Sequence, residues 1–221
     1  IRGSSGPPLP DTEFRVVDPE NGSQLLFRQR GRVLVRGPQV MEGYLNRSEE
    51  TANVLDADGW FDTGDLGMLL PDGSLVLTGR AKDTIVLSNG ENIEPGPLEE
   101  ELVASPLIDQ VLLVGQDERQ LGALVVPNFE LMVAWVKEQG LNLNGDLAES
   151  PGDKSLRRAL HREINVLLAQ RPGSRLDERV IGVALVAPFT IENGLLTQTL
   201  KQRRDRITSR DELAIAAIYA R

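Results

Sequence analysis

The 221-residue sequence has no cysteine, which excludes disulfides and thiolate metal sites and fits a reducing cytosol. It has one histidine, His161, so a site built on several imidazoles is also out of reach, and no metal ligand is assigned. No apolar run approaches the roughly 18 residues of a membrane span; "IGVALVAPF" and "LAIAAIYA" are much shorter. The opening "IRGSSGPPLPDTE" lacks the apolar core of a signal peptide. It also lacks an initiator Met, and the chain reads as a fragment or a processed product. There is no G-x-x-x-x-G-K-S/T phosphate loop, no internal repeat and no low-complexity tract. The net charge is -9, which argues against nucleic acid as a main partner. One basic run departs from that balance: Lys201, Arg203, Arg204, Arg206 and Arg210.

What is present has two textures. The first third is β-rich. "EFRVVD" and "RVLVRG" alternate in polarity around a "PENGSQ" turn, and "GMLLPDGSLVLTGR" reads as a hairpin turning at Pro-Asp-Gly. "SEETANVLDADG" reads as a helix that starts at a serine and ends at Gly59, and "DTIVLS" as a further strand. From Pro95 helices and strands mix. "PGPLEEELVAS" reads as a helix with a leading proline and acids in its first turn. "IDQVLLVGQ" and "QLGALVVPNF" form a hairpin across a polar "DER" segment, and "ELMVAWVKEQG" is an amphipathic helix closed by Gly140. "LNLNGDLAESPGD" is a loop. "KSLRRALHREINVLLAQ" carries leucines and an isoleucine at helical spacing. "VIGVALVAPFTI" is a strand, "ENGLLTQT" a loop, and the rest of the chain ends helical. A β-rich piece over about 1–80 thus precedes an α+β piece over about 83–221, with the boundary near "GRAKD".

Three turn-bound polar devices crowd into Gly59–Pro95. Asp65 in "DTGDLG" sits between glycines on a tight turn. Its carboxylate either caps its own turn or accepts both hydroxyls of a ribose. Arg80 ends a strand after Gly79 and either pairs with a surface acid or grips a phosphate or ribose oxygen. Gly90 in "SNGENIEP" either makes an ordinary Asn-Gly turn or lets a ligand approach the backbone closely. Further on, Lys201 follows a glycine-containing loop. It is either a solvated lysine or a compact charge that meets negative charge developing on a phosphate. His161 reads as a partly exposed helix residue. Trp60, Phe61 and Trp135 read as core or domain-contact residues.

In order along the chain, "GRVLVRGPQVMEGYLNRSEET", "DGWFDTGDLG", "PDGSLVLTGRAKDTIVLSNGENIEP" and "GLLTQTLKQRRDRI" resemble the adenylate-forming ligase family. That family includes acyl-CoA synthetases, luciferases and peptide-synthetase adenylation domains. The resemblance covers nearly all of the chain, and "VLSNGENIEP" with the long segment before "VIGVALVAPF" is most similar to the fatty acid–CoA ligase branch, a form that acyl–carrier-protein ligases share. It implies an α+β fold: a β-rich, barrel-like end of a large adenylating domain over 1–81, then a small carboxy-terminal domain over 82–221 with a central sheet flanked by helices. It implies that Asp65 binds the AMP ribose and that Arg80 lies beside the nucleotide. Lys82 would be the hinge, Gly90 would line the pantetheine channel, and Lys201 would assist adenylate formation. Fatty acid, ATP with Mg2+ and CoA would be the substrates and cofactors, with no Mg2+ ligand in this chain. A carrier-protein thiol in place of CoA, or a non-catalytic module that recognises a carrier protein, are the alternatives. The Ser/Thr/Gly-rich phosphate loop and the acyl pocket of the family are missing, so this chain alone is expected to form no acyl-AMP. A cytoplasmic location is implied, with the basic run either a solvated face or a peripheral contact with CoA phosphates or anionic lipid.

Overall fold

The computed structural model describes residues 4–141 and 153–220; the stretch 141–153, read above as a loop, lies outside them but for its two ends. The chain divides into two compact units, Ile1–Thr84 and Ile85–Arg221.

The first unit is built on strands β1 (Glu13–Val17), β2 (Gly31–Arg36), β3 (Phe61–Leu69) and β4 (Leu75–Arg80), each antiparallel to its neighbour in the order β1-β2-β3-β4. Among the described residues this is an open meander, so the barrel-like end expected from the sequence does not close on itself. Val16, Val33 and Leu75 form its core, with Phe14, Leu25, Val35 and Leu69 packed against it. The Pro-Asp-Gly hairpin lies between β3 and β4. Asp72 Oδ1 accepts the Ser74 N–H at 3.0 Å, and that bond holds the Asp72 carboxyl below its usual range. Trp60 is buried just before β3, with the Arg15 and Arg36 guanidinium groups over its ring at 4.1 and 4.6 Å.

The helix expected over "SEETANVLDADG" shrinks to α1 (Ser48–Ala52), which buries no residue. Without an apolar stripe, nothing holds a longer helix. Beyond it the chain enters a small hairpin. Leu55 bridges Phe61, and Asp56 Oδ1 accepts the N–H groups of Asp58 and Trp60, each at 2.9 Å.

In the second unit "DTIVLS" supplies only the short strand β5 (Ile85–Val86), paired antiparallel with β6 (Asn92–Ile93). Helix α2 (Pro95–Val103) follows. Its first turn holds Pro95 to Leu98 and no acid; the glutamates begin one turn later, which corrects the expected acidic start. Strands β7 (Ile108–Val114) and β8 (Leu121–Pro127) form the expected hairpin. Helices α3 (Phe129–Glu138) and α4 (Lys154–Gln170) carry the chain back to β9 (Val180–Leu185), parallel to β8. Helices α5 (Arg204–Arg210) and α6 (Glu212–Tyr219) end the unit.

The sheet order β7-β8-β9 puts β8 in the middle, and every residue of β8 is buried. Alternation sorts its side chains. Val111, Leu113, Ala123, Val125 and Val183 face one core with Leu98, Leu102, Met132, Leu156, Leu160 and Ile164 of α2, α3 and α4. Leu112, Val114, Leu124, Val126 and Ala184 face a second core with Phe189, Leu195, Leu196 and Ile207. Each large aliphatic group so buried contributes roughly 1.5–3 kcal/mol. His161 is half-buried on α4, where Nε2 lies 2.8 Å from the Val180 carbonyl oxygen and Asn165 bonds the N–H of the same residue at 3.0 Å. The histidine therefore helps fasten the helix to the start of β9.

Candidate functional site

Asp65 lies on β3 and Arg80 is the last residue of β4; the two are register partners across the hairpin. That pairing depends on an irregularity between Leu66 and Gly67, which shifts the register by one residue. Arg80 Nε reaches Asp65 Oδ1 at 3.0 Å, and Arg80 Nη2 donates to the Thr63 carbonyl at 3.4 Å. The pair is partly open to solvent, at 47% and 30% side-chain exposure. Such a pair contributes little to stability but presents a carboxylate and a guanidinium side by side. A carboxylate has acceptor sites to spare after one such bond.

The turn around this pair is fixed by short polar bonds. The Asp65 N–H donates to Thr63 Oγ1 at 3.1 Å, and Thr63 Oγ1 donates to the Val33 carbonyl at 2.9 Å. Asp62 Oδ1 accepts the Gly64 N–H at 2.9 Å while its Oδ2 pairs with Arg32 Nη1 at 3.1 Å. Thr63 and Asp62 were not singled out in the sequence. The signal for both was the "DTGD" spacing, in which each side chain caps an N–H two residues ahead.

Lys82 is exposed within a single 3-10 turn, Ala81–Asp83, that ends next to the boundary between the units at Thr84 and Ile85. No apolar side chain of that turn is buried.

Gly90 and Lys201 belong to the second unit and ride on different devices. Gly90 has φ +86° in the turn between β5 and β6, and its N–H donates to the Leu87 carbonyl at 2.8 Å. A Cβ there would meet open space, so conformation, and not crowding, calls for glycine. Arg175, in the connection before β9, reaches this hairpin: Nη2 donates to the Asn92 carbonyl at 3.3 Å and Nη1 lies 3.6 Å from Glu91.

Lys201 is exposed at the end of a tight turn over 197–201. Its N–H donates to Thr197 Oγ1 at 3.0 Å, its carbonyl accepts the Thr197 N–H at 2.8 Å, and Leu200 sits at φ +60°. The basic run around it is not one solvent-facing surface. Arg204 bonds Glu99 through Nη1 at 2.9 and 3.0 Å. Arg210 pairs with Asp211 at 2.6 Å, donates to the Ala187 and Pro188 carbonyls, and covers the Phe189 ring. Among the described residues no cluster of three or more His, Cys, Asp or Glu could hold a metal ion, and no helix is long and apolar enough to cross a membrane.

Comparison with known proteins gives these motifs a context. The family model described as AMP-binding enzyme matches residues 1–45, and that described as AMP-binding enzyme C-terminal domain matches residues 82–142. A chloroplastic long-chain-fatty-acid–acyl-carrier-protein ligase of Arabidopsis thaliana is 38% identical over 100% of this chain and 29% of its own length. Long-chain-fatty-acid–CoA ligase 1 of Homo sapiens is 34% identical over 99% of this chain and 31% of its own. The chain thus spans under a third of the length of these relatives. The A-PCP didomain of carboxylic acid reductase from Segniliparus rugosus, solved with AMP, superposes with a TM-score of 0.77 at 28% identity over 94% of this chain and 28% of its own. The order of the polar turns, the mixed α+β architecture and these matches agree: the chain belongs to the adenylate-forming, AMP-binding enzyme family.

Proposed function

We propose that the chain is the carboxy-terminal part of an AMP-forming ligase for long-chain fatty acids. The full-length protein joins ATP and a fatty acid to acyl-AMP and pyrophosphate. A pantetheine thiol then attacks the acyl carbonyl, forming the thioester and releasing AMP. The observation that carries this reading is the identity, along the whole chain, to ligases named for long-chain fatty acids with CoA or carrier protein as acceptor. CoA is the acceptor in the first reading. The higher identity to the carrier-protein ligase, 38% against 34%, favours a carrier-bound pantetheine as the second. Both acceptors offer the same thiol arm.

The geometry supports a role for each polar turn. Asp65, with one oxygen on Arg80, has acceptor capacity left for ribose hydroxyls, and Arg80 gives the nucleotide a fixed cation. Lys201 meets the charge that develops as the fatty carboxylate attacks the α-phosphate. Lys82, in an unburied turn at the boundary, is the hinge about which the second unit reorients between the two half-reactions. In one orientation Lys201 serves adenylation; in the other the Gly90 turn lines the pantetheine path. Mg2+ accompanies ATP. None of this chain's residues is assigned to it.

The test is Lys201→Ala in the full-length protein. Fatty-acid-dependent pyrophosphate exchange should fall by about 10²-fold or more, while thioester formation from supplied acyl-AMP should stay within about twofold. An equal fall in both would make Lys201 a structural residue and overturn its assignment.

A further inference from the structure

Strand β7 is an edge strand, because β8 pairs with only one of its sides. An exposed edge is normally blocked by charges, prolines or a covering loop. Here three side chains from two separate segments, α2 and the stretch before and into α5, take the outward groups of β7. Gln202 Nε2 donates to the Val111 carbonyl at 3.1 Å. Glu99 Oε1, from α2, accepts the Leu113 N–H at 2.7 Å. Arg204 Nη2, at the start of α5, donates to the Leu113 carbonyl at 2.6 Å. The last two also bind each other, with Arg204 Nη1 placed between both Glu99 oxygens. Their side chains are only 21% and 14% exposed. Charge-assisted bonds in such a setting are short and directional.

The clamp begins one residue after Lys201. Gln202 also bridges Leu196, and the Arg203 N–H donates to the Leu195 carbonyl at 2.9 Å. Both ends of the 197–201 turn are thus tied down beside β7. The side chain of Lys201 itself projects from the turn into solvent. Its reach and direction are set by where the turn is fixed, and the turn is fixed by Gln202, Arg204 and Glu99.

We propose that Glu99, Gln202 and Arg204 are positioning residues for Lys201: they convert the buried edge of β7 into a rigid mount for the adenylation lysine. The proposal rests on the assignment of Lys201 made above. A guanidinium is required at 204 because one planar fork must serve the Leu113 carbonyl and the Glu99 carboxylate at once. An ammonium carries the charge but not the fork. A displacement of about 1 Å at a reacting group, caused from a distance, costs up to about 10²-fold in rate.

The test uses the full-length protein with Arg204→Lys, Gln202→Met and Lys201→Ala, alone and combined. Arg204→Lys and Gln202→Met should each slow pyrophosphate exchange by about 10-fold or more, and should leave thioester formation from supplied acyl-AMP within about twofold. In the Lys201→Ala background the same changes should cost little further, because they act through the lysine that is already gone. A full, additive loss in that background overturns the proposal, and so does an equal fall of both half-reactions. Should Arg204→Lys lower the melting temperature too far for assay, Gln202→Met carries the same comparison with no charge removed. If Lys201→Ala alone leaves exchange unchanged, the assignment of the lysine falls and the clamp with it. If Lys201→Ala is severe while the clamp variants are silent, only the clamp falls.

Discussion

The first unit spreads four strands around Val16, Val33 and Leu75, while the second buries a three-stranded sheet on both faces. Large apolar groups face solvent in both, Leu26 and Leu45 at 75% and 89% exposure in the first and Leu176 and Leu213 at 76% and 87% in the second, so the difference lies in the cores. In the second, the middle strand has no exposed residue. Hydrophobic stabilisation scales with apolar area removed from water, and a small piece has less of it to set against chain entropy. The second unit is thus built to hold its own shape. The first has the polar turns of a site but little core beneath them.

Separating the units is the strongest way to break this comparison. Residues 85–221 expressed alone should unfold cooperatively on heating, with dispersed amide NMR signals. Residues 1–84 alone should show no cooperative transition. A sharp melt from 1–84 would mean that its polar networks, such as the contacts of Arg15 and Arg36 with the Trp60 ring, stabilise it far more than its core suggests.

The next test stays inside the intact chain, where each unit holds one tryptophan: Trp60 in the first, Trp135 in the second. Leu124→Ala removes a fully buried side chain from β8 and should cost about 2–5 kcal/mol. Val33→Ala removes two methyl-sized groups and should cost about 1.6 kcal/mol. Followed by fluorescence during urea unfolding, with the other tryptophan replaced by Phe, Leu124→Ala should shift the Trp135 transition and Val33→Ala the Trp60 transition. Equal shifts at both probes would show that the units unfold as one.

Local patterns in the sequence carried far in both units, and for the same reason. The short apolar runs in "IDQVLLVGQ" and "QLGALVVPNF" on either side of a polar turn, and leucines at helical spacing in α4, are signals that neighbouring residues express together. The Pro-Asp-Gly hairpin and the Gly90 turn are equally local. "SEETANVLDADG" misled because helical composition without an apolar face says nothing about what would hold a helix. The acids of "PGPLEEELVAS" fall outside the first turn because the helix begins at Pro95 and that turn ends by Leu98. The Asp65–Arg80 pair needed a register that only the irregularity at Leu66 and Gly67 sets. The clamp under Lys201 was illegible for a plainer reason. Glu99 and Arg204 are 105 positions apart, and each looks like any other charge in an acid-rich helix or a basic run.

The smallest predicted effect also separates the units. Tyr219 on α6 is half-buried, and its hydroxyl lies 3.2 Å from both the Val114 and Gln120 carbonyl oxygens. Gly122 gives it room: a Cβ there would stand 3.0 Å from the phenolic oxygen. Burial, with the Glu118 carboxylate nearby as a lesser cause, pushes the Tyr219 hydroxyl well above its ordinary pKa, against a weaker opposing bond from the Gly122 backbone. The unfolded chain therefore loses this proton first, near pH 10. Below that pH both states hold the proton and stability does not depend on it. Above it the unfolded state binds fewer protons than the folded state, so stability falls as pH rises toward the folded value. Tyr219→Phe should cost about 0.5–1.5 kcal/mol at about pH 8, the worth of the lost hydrogen bond. It should also flatten the loss of stability above about pH 10. The flattening should be seen through Trp135 and not through Trp60, since the other tyrosine, Tyr44, is exposed in the first unit. An alkaline loss of equal size in the wild type and in Tyr219→Phe would mean that lysine titration governs this limb in both units, and that the hydroxyl wedged against Gly122 titrates alike in the folded and unfolded chain.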